Sequence, residues 1–239
     1  MLSNFFTNFL EDLLNESIDL DIVGTNDTDV IDGTLLDDLI LGLDGGDEID
    51  GRLGRDAIIG GEGGDILEGG RGRDKFGYSD GEGGDIILDF SIRQDSFVLD
   101  AESFGFDGAA LNFQNVARTA DDDVEAGLVG LDTDSNLYVL QGIWNNAGQA
   151  ATAVVDAGEN DDFFFVYYNV NLDVNRLFFF DQEAANAGDA FSAAAGIQQL
   201  ANLGENPNLQ DGVNDEGAVE DLAEFDADNF SFDFDGLFT

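Results

Sequence analysis

The sequence predicts a mainly β protein whose first half is built from short stacked repeats. An aspartate returns every nine residues between Gly24 and Gly77, and an apolar residue follows two positions after each aspartate. Helices repeat after about 3.6 residues and strands after about 2, so a period of nine that keeps both residue types in phase indicates a repeat architecture. The aspartates are Asp29, Asp38, Asp47, Asp56, Asp65 and Asp74, and the apolar residues are Ile31, Ile40, Ile49, Ile58, Leu67 and Phe76.

The most regular repeats are Gly60–Glu68 and Gly69–Gly77, which both have the form GGxGxDxUx, where U is apolar. Glycine at the first, second and fourth positions allows turn conformations that bring several carbonyl oxygens towards one point, and the sixth position adds a carboxylate. Calcium prefers such hard oxygen ligands and accepts about six to eight of them. A glycine-rich acidic linker is the alternative, but linkers do not keep an apolar residue in phase over six repeats.

This repeat resembles the calcium-binding nonapeptide of RTX proteins. In that family each nonapeptide is a turn plus a short strand, two of them form one coil of a right-handed parallel β-roll, and calcium ions lie between loops two repeats apart. The resemblance implies a β-roll in this chain, with roughly four to five calcium ions as its cofactor. The ligand residues that it implies are Asp29, Asp38, Gly42, Asp44, Gly45, Asp47, Gly51, Leu53, Gly54, Asp56, Gly60, Gly61, Glu62, Gly63, Asp65, Gly69, Gly70, Arg71, Gly72, Asp74 and Asp85.

The resemblance also implies two stacks of loops, one on each side of the roll. The first two loops match the repeat poorly, because Gly24–Asp29 lacks two of the glycines and Gly33–Asp38 keeps only the first. We expect these entrance loops to bind calcium weakly or only to start the roll. Loops that begin at Gly24, Gly42 and Gly60 are expected on one side, and loops that begin at Gly33, Gly51 and Gly69 on the other.

Charge repulsion gives a separate reason to expect a cation. Stacked strands lie about 4.8 Å apart, so aspartates in register repel each other by about 1 kcal/mol in water and by several times that at lower dielectric. A domain has only roughly 0.1 kcal/mol of stability per residue to oppose this. The formal net charge is -44, yet 43% of the residues are hydrophobic and 21 are phenylalanine, too many for a permanently disordered chain. The composition therefore predicts folding that depends on calcium.

Composition also excludes several functional classes. The strongly acidic balance excludes a general nucleic-acid binder. The chain has no histidine, which excludes an HExxH zinc site and histidine-dependent triads, and no cysteine, which excludes disulfides and thiol sites. No apolar stretch approaches the roughly 20 residues that span a bilayer.

Most of the few basic residues lie within the later repeats. They either form a binding site for an anion or a partner on the roll, or they only reduce the repulsion between nearby carboxylates. We favour the second interpretation. These residues are Arg52, Arg55, Arg71, Arg73 and Lys75.

The sequence divides into three regions. Residues 1–22 are expected to form an amphipathic helix and a lead-in that caps the first coil; a membrane-surface helix is the alternative, but this one carries no lysine or arginine. Its acidic residues and lack of a basic start also argue against a secretory signal. Residues 23–100 are expected to form the RTX roll with its closing strands, and residues 101–239 a β-rich unit with a few short helices.

The segments Asp85–Ser91 and Asp95–Asp100 resemble the DxIxDF, spacer, DxIDL segment that closes the roll in many RTX proteins. The resemblance implies two closing strands and a calcium ligand at Asp85. The alternation of apolar residues in both segments is typical of strands.

Beyond the roll, Leu128–Leu131 and Leu137–Gln141 are predicted to be strands of a hairpin around the turn Asp132–Asn136. The turn imitates the start of an EF-hand loop. Leu137 and Ile143, however, replace the glycine and the glutamate that such a loop needs, so we favour a hairpin turn.

Two nearly continuous apolar runs, Phe163–Val170 and Leu172–Phe180, predict a hairpin that is buried on both faces. An exposed aromatic platform for a ligand is the alternative. Alanine-rich Ala147–Ala157 predicts a helix, and further helices are predicted at Asp189–Leu203 and Val219–Phe225.

The extreme C-terminus alternates aromatic and acidic residues. It is similar to the uncleaved signal that a type I secretion apparatus reads in RTX exports, and a simple final strand is the alternative. The region after Ala101 also resembles the tail of predicted calcium-binding proteins from cyanobacteria. The alternating apolar residues are Phe230, Phe232, Phe234, Leu237 and Phe238.

Two functions remain open from the sequence. The first is a secreted, extracellular or cell-surface calcium-binding protein that folds on binding calcium outside the cell and has a noncatalytic structural or surface-interaction role. Its expected partners are the type I secretion apparatus and a cell-surface or extracellular polysaccharide or protein. The second is a carbohydrate-acting enzyme that uses carboxylates of the C-terminal unit and carries the roll as a stabilising and export module. We expect the chain not to be an enzyme.

Overall fold

The structure is a computed structural model that describes residues 22–106, 109–118, 128–129, 131–156, 161–169, 171–172, 174–186, 195–203 and 222–232. Its helices are α1 (Ala147–Asp156), α2 (Gln182–Asn186) and the short 3-10 helix η1 (Ala227–Asn229). Its strands are β1 (Ile22–Val23), β2 (Val30–Asp32), β3 (Leu39–Asp44), β4 (Glu48–Asp50), β5 (Ala57–Glu62), β6 (Ile66–Glu68), β7 (Lys75–Tyr78), β8 (Asp85–Ile87), β9 (Ser96–Leu99), β10 (Phe113–Arg118), β11 (Leu128–Val129), β12 (Leu137–Trp144), β13 (Phe163–Asn169), β14 (Val174–Phe180), β15 (Ile197–Leu203) and β16 (Phe230–Ser231).

The first nine strands form the parallel β-roll that the repeats predict. Odd-numbered strands β1 to β9 line one sheet and even-numbered strands β2 to β8 line the other, all in parallel. In the first sheet Ile22 lies opposite Ile40 and Ile40 opposite Ile58, a step of two nonapeptides. The predicted stacking of alternate loops is therefore confirmed.

The apolar residue of each repeat points into a core between the two sheets. Ile40, Ile58 and Phe76 are fully buried, and Ile49 and Leu67 are 1% exposed. Full burial of one such side chain stabilises the folded state by roughly 1.5 to 3 kcal/mol. The aspartate of each repeat lies two residues before this apolar residue and immediately precedes the strand.

Strands β8 and β9 are not the ends of the two sheets, which corrects the expectation of closing strands. Strand β15 pairs in parallel with β8, where Ala201 lies opposite Asp85, and β16 pairs in parallel with β9. The sheets are therefore β1-β3-β5-β7-β9-β16 and β11-β10-β12-β13-β14-β15-β8-β6-β4-β2. Both continue from the roll into strands after residue 101, because pairing with later strands covers edges that would otherwise stay open.

The C-terminal strands form a second, strongly aromatic core region. β13 and β14 are an antiparallel hairpin in which Phe163 lies opposite Phe180, as predicted. Every residue of β13 is buried, so the alternative of an exposed aromatic platform is wrong. The rings pack on each other instead, with the centroids of Phe163 and Phe180 4.9 Å apart.

Two other local predictions need correction. The strands flanking Asp132–Asn136 do not form a hairpin, because β11 pairs with β10 and β12 pairs in parallel with β10. Residues Ile197–Leu203 form strand β15 instead of the end of a helix, because pairing with β8 and β14 on either side outweighs local helix propensity. The predicted helix at Ala147–Ala157 is confirmed as α1.

Several predicted segments lie outside the described residues. They are residues 1–21 of the capping helix, residues 189–194 of the predicted C-terminal helix, residues 219–221 and the tail after Phe232. None of the helices in the described ranges is long and apolar enough to cross a membrane.

Candidate metal centre

The repeat aspartates form two ladders that run along the roll. In each contact the Oδ1 atom of one aspartate accepts a hydrogen bond from the backbone N–H of the aspartate one coil earlier. On one side Asp47 accepts from Asp29 at 2.8 Å, Asp65 from Asp47 at 2.8 Å and Asp85 from Asp65 at 2.9 Å. On the other side Asp56 accepts from Asp38 at 2.9 Å, Asp74 from Asp56 at 3.0 Å and Asp95 from Asp74 at 2.9 Å.

The second oxygen of the interior carboxylates lacks a donor. The Oδ2 atoms of Asp47, Asp56, Asp65 and Asp85 are buried and have no hydrogen-bond partner among the described residues. These four side chains are only 1–2% exposed. A buried charged oxygen without a partner costs several kcal/mol, so each of these atoms requires a cation or a proton.

Backbone carbonyls border the same carboxylate oxygens. A Cβ atom added to Gly42 would lie 2.6 Å from Asp47 Oδ2 and would also meet the carbonyl oxygen of Gly60. A Cβ added to Gly51 would lie 2.8 Å from both Asp56 Oδ2 and the Gly69 carbonyl oxygen. A side chain at either position would collide with both oxygens, so glycine allows a carboxylate and a backbone carbonyl to approach each other here. Carboxylate and carbonyl oxygens are the donors that calcium prefers.

The predicted ligand residues of the central loops are brought together in pairs. Asp44 lies opposite Glu62, and Leu53 forms a bridge with Arg71. The side chains of these four residues are exposed, and their backbone carbonyls also lie where the loops stack. Two of those carbonyls already accept hydrogen bonds, Glu62 from Gly45 N–H at 2.8 Å and Arg71 from Gly54 N–H at 3.1 Å.

Side chains alone do not form a metal site here. In the described part of the chain no group of three or more histidine, cysteine, aspartate or glutamate side chains is arranged to hold a metal ion. A site between the loops therefore depends on carbonyl oxygens added to the ladder carboxylates, which is the arrangement that the glycine-rich repeat favours.

Burial raises the pKa of the ladder carboxyl groups. Desolvation is the main cause for each of them, a neighbouring ladder carboxylate adds to it, and the hydrogen bond from the earlier backbone N–H opposes it. The pKa rises to about 6 for Asp56, about 7 for Asp74 and about 8 for Asp85, and it is also raised for Asp47 and Asp65. Without a cation the folded ladder therefore holds protons near neutral pH.

The entrance loops differ from the interior, because protein donors reach the second oxygen. Asp29 Oδ2 accepts from Thr25 N–H at 2.6 Å and from the Thr25 hydroxyl at 2.8 Å. Asp38 Oδ2 accepts from Thr34 N–H at 2.5 Å, and its Oδ1 from the Thr34 hydroxyl at 2.8 Å. The poorly matching loops thus satisfy their own aspartates, and their side chains leave no orphaned oxygen for an ion.

Sequence reasoning missed Asp95 as a member of the ladder. Asp95 Oδ1 accepts from Asp74 N–H, and its Oδ2 accepts from Ser91 N–H at 2.8 Å. The sequence does indicate this role, because the apolar Phe97 follows Asp95 by two positions, as an apolar residue follows the aspartate of every repeat.

Two unusual backbone positions were also missed. Leu43 and Arg52 have positive φ angles of 82° and 71°, and they occupy the second repeat position, where later repeats have Gly61 and Gly70. A Cβ added to Gly61 would meet the Leu43 carbonyl oxygen. The stacking of loops enforces the left-handed conformation even where a side chain makes it costly.

Two of the five basic residues of the roll, Arg52 and Arg55, pair with acids of the preceding coil. Arg52 lies 2.9 Å from Asp32, and Arg55 lies 2.8 Å from Asp37. The side chains of both pairs are more than 40% exposed, so water and salt screen the attraction and each pair adds little to the stability of the fold. Their geometry supports the interpretation of local charge relief.

The turn that imitates an EF-hand does not present a calcium site. Asn136 Oδ1 accepts from Asn112 N–H at 2.9 Å, and Asp132 Oδ1 accepts from Asp134 N–H at 3.1 Å. These contacts hold an ordinary turn, whose Ser135 carbonyl accepts from the Tyr138 hydroxyl at 2.7 Å.

A cleft of about 980 Å³ lies in the C-terminal region. Its acidic lining residues are Asp134, Asp161, Asp162 and Glu183, and Phe106 lines it as well. Burial raises the pKa of Asp162, and the carboxylates of Asp181, Asp161 and Glu183 raise it further. Asp162 Oδ1 accepts from Gln182 N–H at 2.7 Å, which holds the carboxyl group at the cleft wall.

Comparison with known proteins finds similarity only among solved structures. No protein-family model and no curated protein matches the chain. Two similar structures are repeat subunits of the mannuronan C5-epimerase of Azotobacter vinelandii. The AlgE6R2 subunit is 22% identical at a TM-score of 0.46, with 90% of this chain and 95% of that chain covered. The AlgE6R3 subunit is 22% identical at a TM-score of 0.40, with 87% of this chain and 80% of that chain covered. Because both TM-scores are low, the assignment of a parallel β-roll rests on the strand order and register of this chain.

Proposed function

We propose that the chain is a calcium-binding protein of the RTX type, whose roll folds when calcium neutralises the aspartate ladders. The observation that carries this proposal is the row of buried Oδ2 atoms without donors at Asp47, Asp56 and Asp65. At Gly42 and Gly51 a backbone carbonyl lies close to the Oδ2 atoms of Asp47 and Asp56. Carboxylate and carbonyl oxygens suit calcium better than zinc or copper, which favour nitrogen and sulfur ligands.

Calcium binding of ordinary strength is sufficient to decide whether the roll folds. A site with a dissociation constant of about 0.1 mM, in the range of extracellular modules, adds about 2.7 kcal/mol at a hundredfold excess of calcium. A few such sites equal the roughly 5–15 kcal/mol stability of a whole domain. The dissociation constants of extracellular modules match the high calcium outside cells, so we propose that the protein folds and acts there.

The role that we propose is structural or interactive and not catalytic. The aromatic residues of β13 and β14 are buried, so a partner would meet the polar and acidic outer surface of the protein instead. Export by a type I secretion apparatus and contact with a cell-surface or extracellular polysaccharide or protein remain part of this proposal, because the sequence resemblance implies them.

Circular dichroism during a calcium titration tests the proposal. In chelator at neutral pH we expect a largely unfolded chain, and calcium up to about 10 mM should produce a β spectrum. Magnesium at equal concentration is the control, since it prefers a smaller octahedral shell and gives up its water reluctantly. Asp47→Asn should weaken the calcium response, whereas Asp80→Asn at an exposed loop position should not. Identical spectra with and without calcium would contradict the proposal.

The acidic cleft supports a second candidate function, a carbohydrate-acting enzyme. Asp162 has a raised pKa, as a general acid requires, and further carboxylates line the same cleft. The high negative charge of the chain favours a neutral polysaccharide over an anionic one. A reducing-end assay on neutral polysaccharides tests this function, with Asp162→Asn as the inactive control. Absence of product from the calcium-bound protein would exclude it for those substrates.

A further inference from the structure

Several buried apolar residues of the roll point away from its core. In strands β3, β5 and β9 the inward residues are Ile40, Ile58 and Phe97, so the residues next to them along each strand face outwards. These outward residues are at most 3% exposed, yet they belong to neither of the two apolar clusters that buried residues of the described ranges form. We call the surface that they make the outer face. Its residues are Leu39, Leu41, Ala57, Ile59 and Val98.

The opposite sheet of the roll shows that such positions are not buried by their own strands. Val30 of β2, Glu48 of β4 and Ile66 of β6 lie side by side on the outside of that sheet. Val30 is 75% exposed and Ile66 is 41% exposed. Burial of the outer face therefore requires a cover beyond strands β3, β5 and β9.

The cover belongs to the same chain. The outer face is buried within a single chain, and its residues are in neither described cluster, which points to a segment of this chain outside the described residues. Lys75 of β7 continues the row of Leu39 and Ala57 on this face. Desolvation, with a smaller contribution from the charge of Arg55, lowers the pKa of Lys75, so the cover extends as far as β7.

The beginning of the chain carries the apolar surface that such a cover needs. Seven leucine and phenylalanine residues recur at helical spacing between Leu2 and Leu14. No other segment outside the described residues contains more than three valine, leucine, isoleucine or phenylalanine residues. The seven residues are Leu2, Phe5, Phe6, Phe9, Leu10, Leu13 and Leu14.

This segment also has a suitable length and point of attachment. Residue 22 begins strand β1, and Val23 lies opposite Leu41 at the margin of the outer face. A helix of residues 1–14 is about 21 Å long, whereas the distance from β3 to β9, with β5 and β7 between them, is about 14 Å. Residues 15–21 can extend over about 23 Å, which allows the chain to leave the helix and enter β1.

We propose that residues 1–14 form an amphipathic helix that packs along the outer face, with its leucine and phenylalanine side chains on Leu41, Ile59 and Val98. This position is beside the roll and not over the open first coil, where the sequence alone led us to expect the segment. The outer face exists only when β3, β5, β7 and β9 are in register. The helix therefore docks on a folded roll, and its apolar residues are exposed in the unfolded chain.

Thiol accessibility in the full-length protein tests the inference, because the chain has no cysteine of its own. Ile59→Cys places a thiol on the outer face, and Ile49→Cys, at a residue that is also 1% exposed, places one in the described core. Each is compared in saturating calcium with and without Phe5→Ser and Phe9→Ser. The two serines should make the thiol at position 59 react with a maleimide at least about tenfold faster, which requires only ~1.4 kcal/mol less protection. The thiol at position 49 should react at an unchanged rate.

Two further variants separate the other places and segments. Ile31→Cys places a thiol in the core of the first coil, so faster reaction at position 31 and not at position 59 would mean that the segment caps the coil and would overturn the inference. Leu237→Ser with Phe238→Ser is the matched change in the C-terminal tail. If this change exposes the thiol at position 59 and the change at Phe5 and Phe9 does not, the tail is the cover and the inference is wrong. An unchanged rate at position 59 in both backgrounds would also overturn it.

Disulfide formation decides the matter if the serine variant does not fold. Ile59→Cys is combined in turn with Phe5→Cys, Phe9→Cys or Leu13→Cys, three positions on one stripe of the helix. At least one pair should form an intramolecular disulfide under mild oxidation, because a disulfide requires Cα atoms within about 7 Å of each other. The same three changes combined with Ile49→Cys should form none. Absence of a disulfide at position 59, or equal yields at positions 59 and 49, would overturn the inference.

Discussion

Acidification should partly replace calcium in folding the roll. The carboxyl group of Asp85 is 1% exposed, and burial raises its pKa to about 8. In the unfolded chain an aspartate has a pKa of about 3.9. The calcium-free folded protein therefore binds more protons than the unfolded chain between these values, and its stability is highest below the unfolded pKa and falls as pH rises towards 8.

The size of the effect can be worked from this single group. One pH unit within the window changes the free energy of unfolding by about 1.4 kcal/mol per group, so Asp85 alone contributes about 4 kcal/mol between pH 8 and pH 5. Asp74, with a pKa of about 7, and Asp56, with a pKa of about 6, act in the same direction. The gain is comparable with the stability of a small domain, so a chain that is unfolded at pH 8 in chelator should gain structure at pH 5.

Urea unfolding followed by circular dichroism, in calcium-free buffers from pH 5 to pH 8, measures this effect. The whole range lies above the pI of about 4.1, so the chain keeps a net negative charge. General charge repulsion also weakens on acidification, and Asp85→Asn separates the two causes. This variant should flatten the dependence by up to about 1.4 kcal/mol per pH unit, while Asp80→Asn, at an exposed position of the same loop, should leave the slope as in wild type. Equal stability at both ends of the pH range, or loss of stability in acid, would refute the reasoning.

Four further substitutions test the packing and the polar contacts of the loops. Gly63→Ala should abolish calcium-induced folding, because an added Cβ would collide with the Gly45 carbonyl oxygen and the φ angle of Gly63 is 147°. Gly64→Ala should fold normally, since the atom nearest to its added Cβ lies 3.7 Å away. Equal behaviour of the two variants in a calcium titration would contradict the stacking of the loops. Thr34→Val should lower the free energy of unfolding by about 1–2 kcal/mol in urea melts, because Asp38 loses a hydroxyl donor, and an unchanged value would mean that water replaces it. Arg55→Gln should leave the free energy of unfolding almost unchanged in the same assay, because its ion pair with Asp37 is exposed, and a clear loss of stability would point to a partner of Arg55 beyond that ion pair.

The roll could be predicted from the sequence because its information is local and repeated. A period of nine sets the register of Ile40 opposite Ile58 and places each aspartate one coil above the last. The buried hairpin of Phe163–Asn169 with Val174–Phe180 was equally accessible, because a continuous apolar run has few other solutions.

The features that the sequence could not provide depend on distant partners. The strand at Ile197–Leu203 forms because β8 and β14 lie on either side of it, and neither is near in sequence. The contrast between the entrance and interior aspartates depends on whether Thr25 or Thr34 reaches an oxygen, which spacing does not reveal.

The direction of the ladder hydrogen bonds has a consequence for protein synthesis. In every contact the acceptor comes later in the chain than the donor, as with Asp29 N–H and Asp47 Oδ1. A chain growing on the ribosome therefore always ends in a newest coil whose amide still lacks its acceptor and whose apolar face is open. That edge is covered only when β15 and β16 have been made. A chain that folded during translation would expose this unpaired strand edge to neighbouring chains until β15 and β16 had been made. If folding waits for calcium, as we propose, the edge is not formed before synthesis is complete.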